Sequence, residues 1–162
     1  MSFWSIYDIM IVMKKKIFYI ALVIFIIDQV SKLILSNYLK DDLVITSFFS
    51  LTPLTNTGAA WSFLSNHNYL IVLISLIILV ILYRFMLSFK LNKINTVAFG
   101  LVFGGILGNL SDRIFHGYVF DFLAFKIFNY DYPVFNLADS FIVIGTIILI
   151  IAIMKGDDND GN

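Results

Sequence analysis

G-G-I-L-G-N-L-S-D-R at 104–113, V-F-D-F at 119–122 and F-N-L-A-D-S at 135–140 form the stretch that decides how the whole chain is read. It sets Asp112, Asp121 and Asp139, together with Asn109, Arg113 and Asn136, inside or at the edge of apolar sequence long enough to cross a bilayer. An ionised carboxylate in hydrocarbon costs about 2.5 to 3.5 kcal/mol even on the lenient insertion scale, so a cluster of three requires a purpose.

Working outward, the composition supports a membrane setting. Of 162 residues, 60% are hydrophobic, and the mean hydropathy of +0.92 lies well outside the soluble range. The 11 basic and 11 acidic residues balance, and no basic run is interleaved with aromatics, which argues against nucleic acid as a partner. The absence of cysteine removes disulfides, thiolate nucleophiles and thiolate metal sites. The length suits one compact domain, read here as a single integral membrane unit over 1–162.

Four spans are expected, at about 17–35, 69–89, 96–114 and 135–154, with polar connectors at 36–68 and 115–134. Met13 followed by Lys14, Lys15 and Lys16 reads as a natural start with a positive flank, and the first twelve residues as an upstream extension. A cleavable leader is disfavoured because Asp28 and Gln29 stand where small residues would be needed. Asp28 and Lys32 are four apart on one helical face, in the order that favours an ion pair. That pair is read as self-neutralising near a membrane surface, with direct substrate contact as the alternative. The second span is almost pure Ile, Leu and Val and reads as lipid-facing scaffold. The third carries Gly100, Gly104 and Gly108 at four-residue spacing, a small-residue face for close packing, which leads into Asn109 and Asp112. In the fourth, twelve Phe, Leu, Ile and Val residues supply about 4 to 7 kcal/mol, more than the cost of inserting Asp139.

The 36–68 connector is longer than ordinary helix connections. Its segment V-I-T-S-F-F-S-L-T-P-L-T favours short extended strands. Asn56 to Trp61, N-T-G-A-A-W, follows. Gly58, Ala59 and Ala60 leave the backbone open, Asn56 offers donor and acceptor, and Trp61 suits an interface. The segment reads either as an ordinary turn or as a substrate-contacting loop. The fold class is therefore an all-α membrane protein, four transmembrane helices with a small extracytoplasmic β-rich loop region. Seven basic residues (Lys14, Lys15, Lys16, Arg84, Lys90, Lys93, Lys155) fall on the side of the termini and four (Lys32, Lys40, Arg113, Lys126) opposite. The termini are thus expected in the cytoplasm and the aspartates near the outer face. The tail after Lys155 is polar and expected to be disordered.

Two carboxylates sharing one water can hydrolyse an amide without metal or covalent intermediate. Like charges held close cannot both ionise, so the acid and base roles arise together. Asp121, on a surface return, and Asp139, one turn into the last span, can meet across the connecting segment. Asn136, three before Asp139, can hydrogen-bond substrate from the same face. Asp112, next to Arg113, is assigned to a structural ion-pair network. His116 lies four residues after Asp112, but with His67 as the only other histidine a zinc site lacks ligands. Neither H-E-x-x-H nor G-x-S-x-G occurs. A proton- or cation-coupled transporter is the competing class, weakened by the lack of polar groups along the membrane depth. A purely structural subunit would explain the glycines but not the aspartates.

In this order and spacing, D-Q-V-S-K at 28–32, N-T-G-A-A-W, G-G-I-L-G-N-L-S-D-R, V-F-D-F and F-N-L-A-D-S resemble the lipoprotein signal peptidase (signal peptidase II) family, aspartic peptidase family A8, over about Lys14 to Met154. The resemblance implies an endopeptidase of the bacterial inner or cytoplasmic membrane. Such an enzyme removes the signal peptide from diacylglyceryl-modified prolipoproteins before the lipidated cysteine, is blocked by globomycin-type cyclic peptides and needs no cofactor. It implies Asp121 and Asp139 as the catalytic pair. Asn56, Gly58, Asn109, Arg113 and Asn136 would contact or position substrate, and Asp28, Lys32, Asp112, Gly104 and Gly108 would support the site. Membrane lipid is the expected surrounding partner and a monomer the expected state. Trp61 stands where the family more often has Phe, and Phe120 where Val is more usual; both keep bulk and apolarity.

Overall fold

The structure is a computed structural model and describes residues 6–58 and 67–157. Ala59, Ala60 and Trp61 of the N-T-G-A-A-W reading lie outside the described residues, as do 1–5 and 158–162. In chain order the elements are α1 (Ile6–Tyr38), β1 (Leu43–Val44), β2 (Phe49–Asn56), α2 (Asn68–Leu87), α3 (Lys93–Phe115), β3 (Val119–Ile127), β4 (Tyr130–Asp131) and α4 (Leu137–Met154). All four helices are long and apolar enough to cross a membrane. The first begins earlier than its apolar run suggests. α1 runs unbroken through Lys14, Lys15 and Lys16, because lysine is a good helix former and its long stem can carry the ammonium away from hydrocarbon.

α3 is the central helix, and its glycines explain why. A Cβ on Gly104 would lie 2.7 Å from the carbonyl oxygen of Ala21, and one on Gly108 would lie 2.5 Å from Oδ2 of Asp28, so that face packs on α1. Gly105, on another face, would meet the carbonyl oxygen of Ala138 at 2.5 Å, and Gly145 of α4 would meet that of Ala98 at 2.8 Å. Helices α1 and α4 therefore approach α3 backbone to backbone, the usual mode of helix association where lipid removes the hydrophobic drive. The paired positions also fix direction. Residue numbers rise together along α1 and α3 and run oppositely along α3 and α4. α2 is peripheral, with only Ile71 and Met86 buried, consistent with a scaffold role.

The bundle has an apolar end and a polar end. At the apolar end Ile17, Met86, Phe89, Ala98, Phe99, Leu149 and Ala152 form the core, and Phe89 meets Phe99 edge-on at 5.2 Å. The tail closes this end rather than being disordered from Lys155. Lys90 N–H donates to the Asp157 carbonyl at 3.0 Å, and the Asp157 carboxylate accepts from the side-chain amides of Asn92 and Asn95 at 3.0 and 3.1 Å. Buried amides near a helix N-terminus give that carboxylate partners which a solvent-exposed tail would lack.

At the polar end lies a four-stranded antiparallel sheet of order β1-β2-β3-β4. The connector's β-branched segment does supply strands, β1 and β2. The 115–134 return supplies the longest strand, β3, which its largely apolar run, broken only by Asp121 and Lys126, does not announce. β2 and β3 pair Leu54 with Asp121 and Asn56 with Val119, after a register irregularity between Leu51 and Leu54. Pro53, lacking an N–H, falls in that irregularity. Phe135 bonds through its N–H and carbonyl to Leu123 and through its carbonyl also to Phe122, so the sheet is fastened immediately before α4.

Gly105→Ala tests the central position of α3. The added methyl must separate α3 from α4, and overpacking of this kind costs about 1 to 3 kcal/mol. The variant is expected to unfold at lower temperature than the native chain in detergent; an unchanged midpoint would mean that the two helices do not approach this closely.

Candidate active site

Asp139 occupies the third position of α4. Asn136 caps that helix, accepting from Asp139 N–H at 3.0 Å, while Asp139 Oδ2 accepts from Asn136 N–H at 3.2 Å, a reciprocal capping box. The same amide then reaches outward. Asn136 Nδ2 donates to Asp121 Oδ1 at 2.6 Å and to Asn109 Oδ1 at 3.0 Å. Asp121 comes from β3, and Asn56 is two residues beyond Asp121's direct strand partner, on the same sheet face. That placement lets Asn56 Nδ2 donate to Asp121 Oδ2 at 2.8 Å. Asn109 Nδ2, from α3, donates to Asp139 Oδ1 at 2.8 Å. Each carboxylate is thus held at both oxygens, and one buried residue, Asn136, touches both groups, Asp121 through its side-chain amide and Asp139 through its backbone N–H.

Asp121 is 1% exposed. Burial pushes its carboxyl up to about 6, and the nearby charge of Asp139 pushes the same way against the Asn56 and Asn136 hydrogen bonds, which favour the ion. Asp139 is less buried and sits at the positive end of the α4 dipole. Both aspartates line one cavity of about 930 Å³, together with Asn56, Asn109 and Arg113, at the upper end of the range for ligand sites. The remaining wall is largely apolar, formed by Leu54, Val119, Tyr132, Pro133, Val134, Phe135, Ile142, Val143 and Ile144.

A second layer lies beneath, at the α1–α3 contact. Lys32 Nζ donates to Asp28 Oδ2 at 2.7 Å, Asp112 Oδ2 at 2.6 Å and Asn109 Oδ1 at 2.8 Å, so all three ammonium protons are used. Asp28 Oδ1 in turn accepts from Ala138 N–H at 3.0 Å, satisfying a free donor of the first turn of α4. The expected Asp28–Lys32 pair is present. The ion-pair partner of Asp112, however, is Lys32 of α1 rather than neighbouring Arg113. Consecutive helical residues point about 100° apart, so sequence adjacency does not bring such side chains together.

Arg113 instead donates to the carbonyls of Gly58 at 2.9 Å and Asn109 at 3.3 Å. Gly58 N–H donates to Asn56 Oδ1 at 2.9 Å, so Arg113, Gly58 and Asn56 form one chain of contacts leading to Asp121. Every site residue proposed from sequence except Gly104, which lies midway along α3 against Ala21 and Ile24, therefore falls at this end of the bundle. Asn136 is 0% exposed, with its side-chain amide engaged by Asp121, Asn109 and the Asp139 N–H. Gly104 and Gly108 act through packing. Two residues were missed. Gln29 Nε2 donates to Asp112 Oδ1 at 3.0 Å, and Ser140 lines the cavity. Gln29 was legible as the neighbour of Asp28 in a polar interruption of an apolar span; Ser140 carried no signal beyond its place after Asp139. Among the described residues no group of three His, Asp or Glu side chains is arranged to hold a metal.

Membrane-length helices closing around a cavity that holds a carboxylate pair define a membrane-embedded hydrolase. Comparison with known proteins narrows the class. The sequence profile of the family described as Signal peptidase (SPase) II matches residues 20–155. Proteins named lipoprotein signal peptidase from Staphylococcus aureus strains JH9 and Newman are each 43% identical over 144 residues, covering 86% of this chain and 88% of theirs. Two solved structures, both described as a bacterial membrane enzyme determined by the in meso method, superpose with TM-scores of 0.79 and 0.76. They are 39% and 40% identical, over 90% and 86% of this chain and 92% of each of those chains. The chain belongs to the signal peptidase II family of aspartic peptidases, and it is a bacterial membrane protein.

Lys32→Met tests the second layer. Removing the cation leaves Asp28 and Asp112 buried without their ion-pair partner, a loss of about 3 to 5 kcal/mol for such pairs. The variant is expected to melt earlier in detergent and to recover part of the loss when Asp112→Asn is added; a lone Lys32→Met change without effect would contradict the network.

Proposed function

We propose that the chain cleaves the signal peptide from diacylglyceryl-modified prolipoproteins, on the N-terminal side of the lipidated cysteine, using a water held between Asp121 and Asp139. The single observation that carries this reading is that both carboxylates line one cavity and are tied to the same buried residue, Asn136, one through its side-chain amide and the other through its backbone N–H. Family membership supports the substrate class, and the cavity's apolar wall on α4 suits a substrate delivered from the bilayer.

In this mechanism Asp121 holds the proton at rest. Its two oxygens each accept an amide N–H, which leaves the carboxyl O–H directed to the remaining acceptor, the scissile carbonyl oxygen. Asp139, with amide donors on both oxygens at a helix N-terminus, carries the negative charge and takes a proton from the water. The water oxygen adds to the carbonyl carbon as Asp121 protonates the carbonyl oxygen. Collapse of the tetrahedral gem-diol breaks the C–N bond: one of its hydroxyls returns a proton to Asp121 as the carbonyl reforms, and the proton gained by Asp139 passes to the departing amine of the lipidated cysteine. The pair then returns to its starting state, with one water consumed and no covalent intermediate. Arg113, Asn56 and Gly58 form the polar rim that orients the substrate backbone, and acyl chains held in the bilayer fix the scissile bond at the site's depth. The excess of basic residues near the termini supports termini in the cytoplasm and a site near the outer face. The protein works as a monomer, since each group invoked comes from one chain. A cation-coupled transporter fits poorly, because the buried charged side chains, Asp28, Lys32, Asp112, Arg113 and Asp121, gather at one end of the bundle and α2 and the far half of α4 are largely apolar.

Asp121→Asn and Asp139→Asn, made singly, are each expected to leave the protein inserted while unprocessed lipidated prolipoprotein accumulates, with kcat down by at least about 10²-fold. Normal processing by either variant removes that residue from the pair. The pH dependence follows from the raised carboxyl. Asp121 is protonated below about 6 and loses its proton as pH rises, so kcat/KM is expected to fall on the alkaline limb with an apparent midpoint near that value. A profile flat from about pH 5 to about pH 8 would contradict the assignment.

A further inference from the structure

The β3–β4 hairpin is unusual at its tip. Its two turn residues, Phe128 and Asn129, have φ of 50° and 63°, the left-handed pair required by the tight hairpin turn that fits sheet twist. Asparagine adopts that conformation readily, whereas an aromatic residue does so only under strain. Phe128 is also 99% exposed, the most exposed of the large hydrophobic residues among those described. At that exposure it packs on nothing among the described residues that would offset the strain. Ile127, Tyr130 and Tyr132 flank it, each about half exposed, and Tyr130 and Tyr132 meet edge-on at 5.0 Å. Lys126 and Asp131 form an ion pair at 3.5 Å at the base of this apolar tip.

We propose that this hairpin is a membrane-interface anchor whose partner is the headgroup and upper acyl region of the bilayer that the helices cross. Position supports that partner over any other. Phe135, two residues before α4, is hydrogen-bonded to Leu123 of β3, so the hairpin springs from the level at which the fourth span begins. The tip lies only about 17 Å along the strand from that point, since the five residue steps from Leu123 to Phe128 rise about 3.3 Å each. Apolar surface is continuous between the two. Tyr132 and Val134 share the cavity wall with Val143 and Ile144, which are exposed on the α4 face and, in a membrane span, meet lipid. Aromatic side chains favour the bilayer interface, where rings are buried and polar tips stay wet. Burial of the Phe side chain in the interface is favourable enough to offset its backbone strain. Because Tyr132 and Pro133 belong both to the segment after the turn and to the cavity wall, the anchor would hold the cavity's mouth against the lipid.

The chain has no cysteine, so a single introduced thiol can be spin-labelled cleanly. A nitroxide on Asn129→Cys, with Phe128 intact, is placed in vesicles of phosphatidylcholine and phosphatidylglycerol, and its collisions with oxygen and with a water-soluble nickel chelate are compared. The proposal expects oxygen to dominate, and the oxygen-to-nickel ratio to fall several-fold when Phe128→Ser is added. Dominance of nickel in the parent would overturn it. So would a ratio that stays high without Phe128, since the tip would then reach lipid for another reason. The readout involves no catalysis, so it stands or falls separately from the hydrolytic mechanism.

Discussion

The site depends on one side-chain amide. Asn136 closes the N-terminus of α4, and a helix cap fixes its side chain because the acceptor must meet a specific backbone N–H. With Oδ1 committed to Asp139 N–H, Nδ2 has one orientation left, and in that orientation it meets Asp121 and Asn109. Helix geometry thus sets the placement of Asp139, and the same amide carries that placement to a carboxylate on a separate β-strand. Little rearrangement is open to a group that is 0% exposed with both functions of its amide engaged, which is the kind of rigidity that acid–base chemistry at a fixed distance needs.

Around that amide the structure tolerates charges that a membrane protein would ordinarily exclude. Asp28, Lys32 and Asp112 are buried together, and their worth lies less in net stability than in registry, because a fully satisfied ammonium fixes α1 against α3. Asp28 extends the connection to the first turn of α4. The glycine faces of α3 make this possible, since only close backbone approach lets a lysine of one helix reach acceptors on another without water. Small residues, buried ion network and capped helix are therefore successive layers supporting one pair of carboxylates.

Much of this was legible in the sequence because membrane insertion penalises charge so strongly. Asp28, Asp112 and Asp139 stand out against apolar runs, and the i, i+4 spacing of Asp28 and Lys32 foretells their contact. Gly104 and Gly108 announce packing by their spacing, although not which helix lies opposite. What remained hidden was pairing at long sequence separation. The largely apolar run at 119–127 does not reveal that β3 lies beside β2, so the Asn56–Asp121 bond was beyond reach, and Asp112 was joined to the arginine beside it rather than to a lysine eighty residues away. Asp157 shows the same limit. An isolated polar tail gives no sign that buried asparagines near the start of α3 await its carboxylate.

Nuclear magnetic resonance of the protein with ¹³C-labelled aspartate carboxyls, titrated in detergent micelles, tests the central claim most directly. The account predicts that the Asp121 signal titrates near 6 and that replacing Asp139 by the neutral isostere Asn moves this step to lower pH, because the neighbouring negative charge helps to hold the proton on Asp121. An Asp121 step indifferent to the charge at position 139, or one already in the ordinary carboxylate range, would contradict a coupled pair.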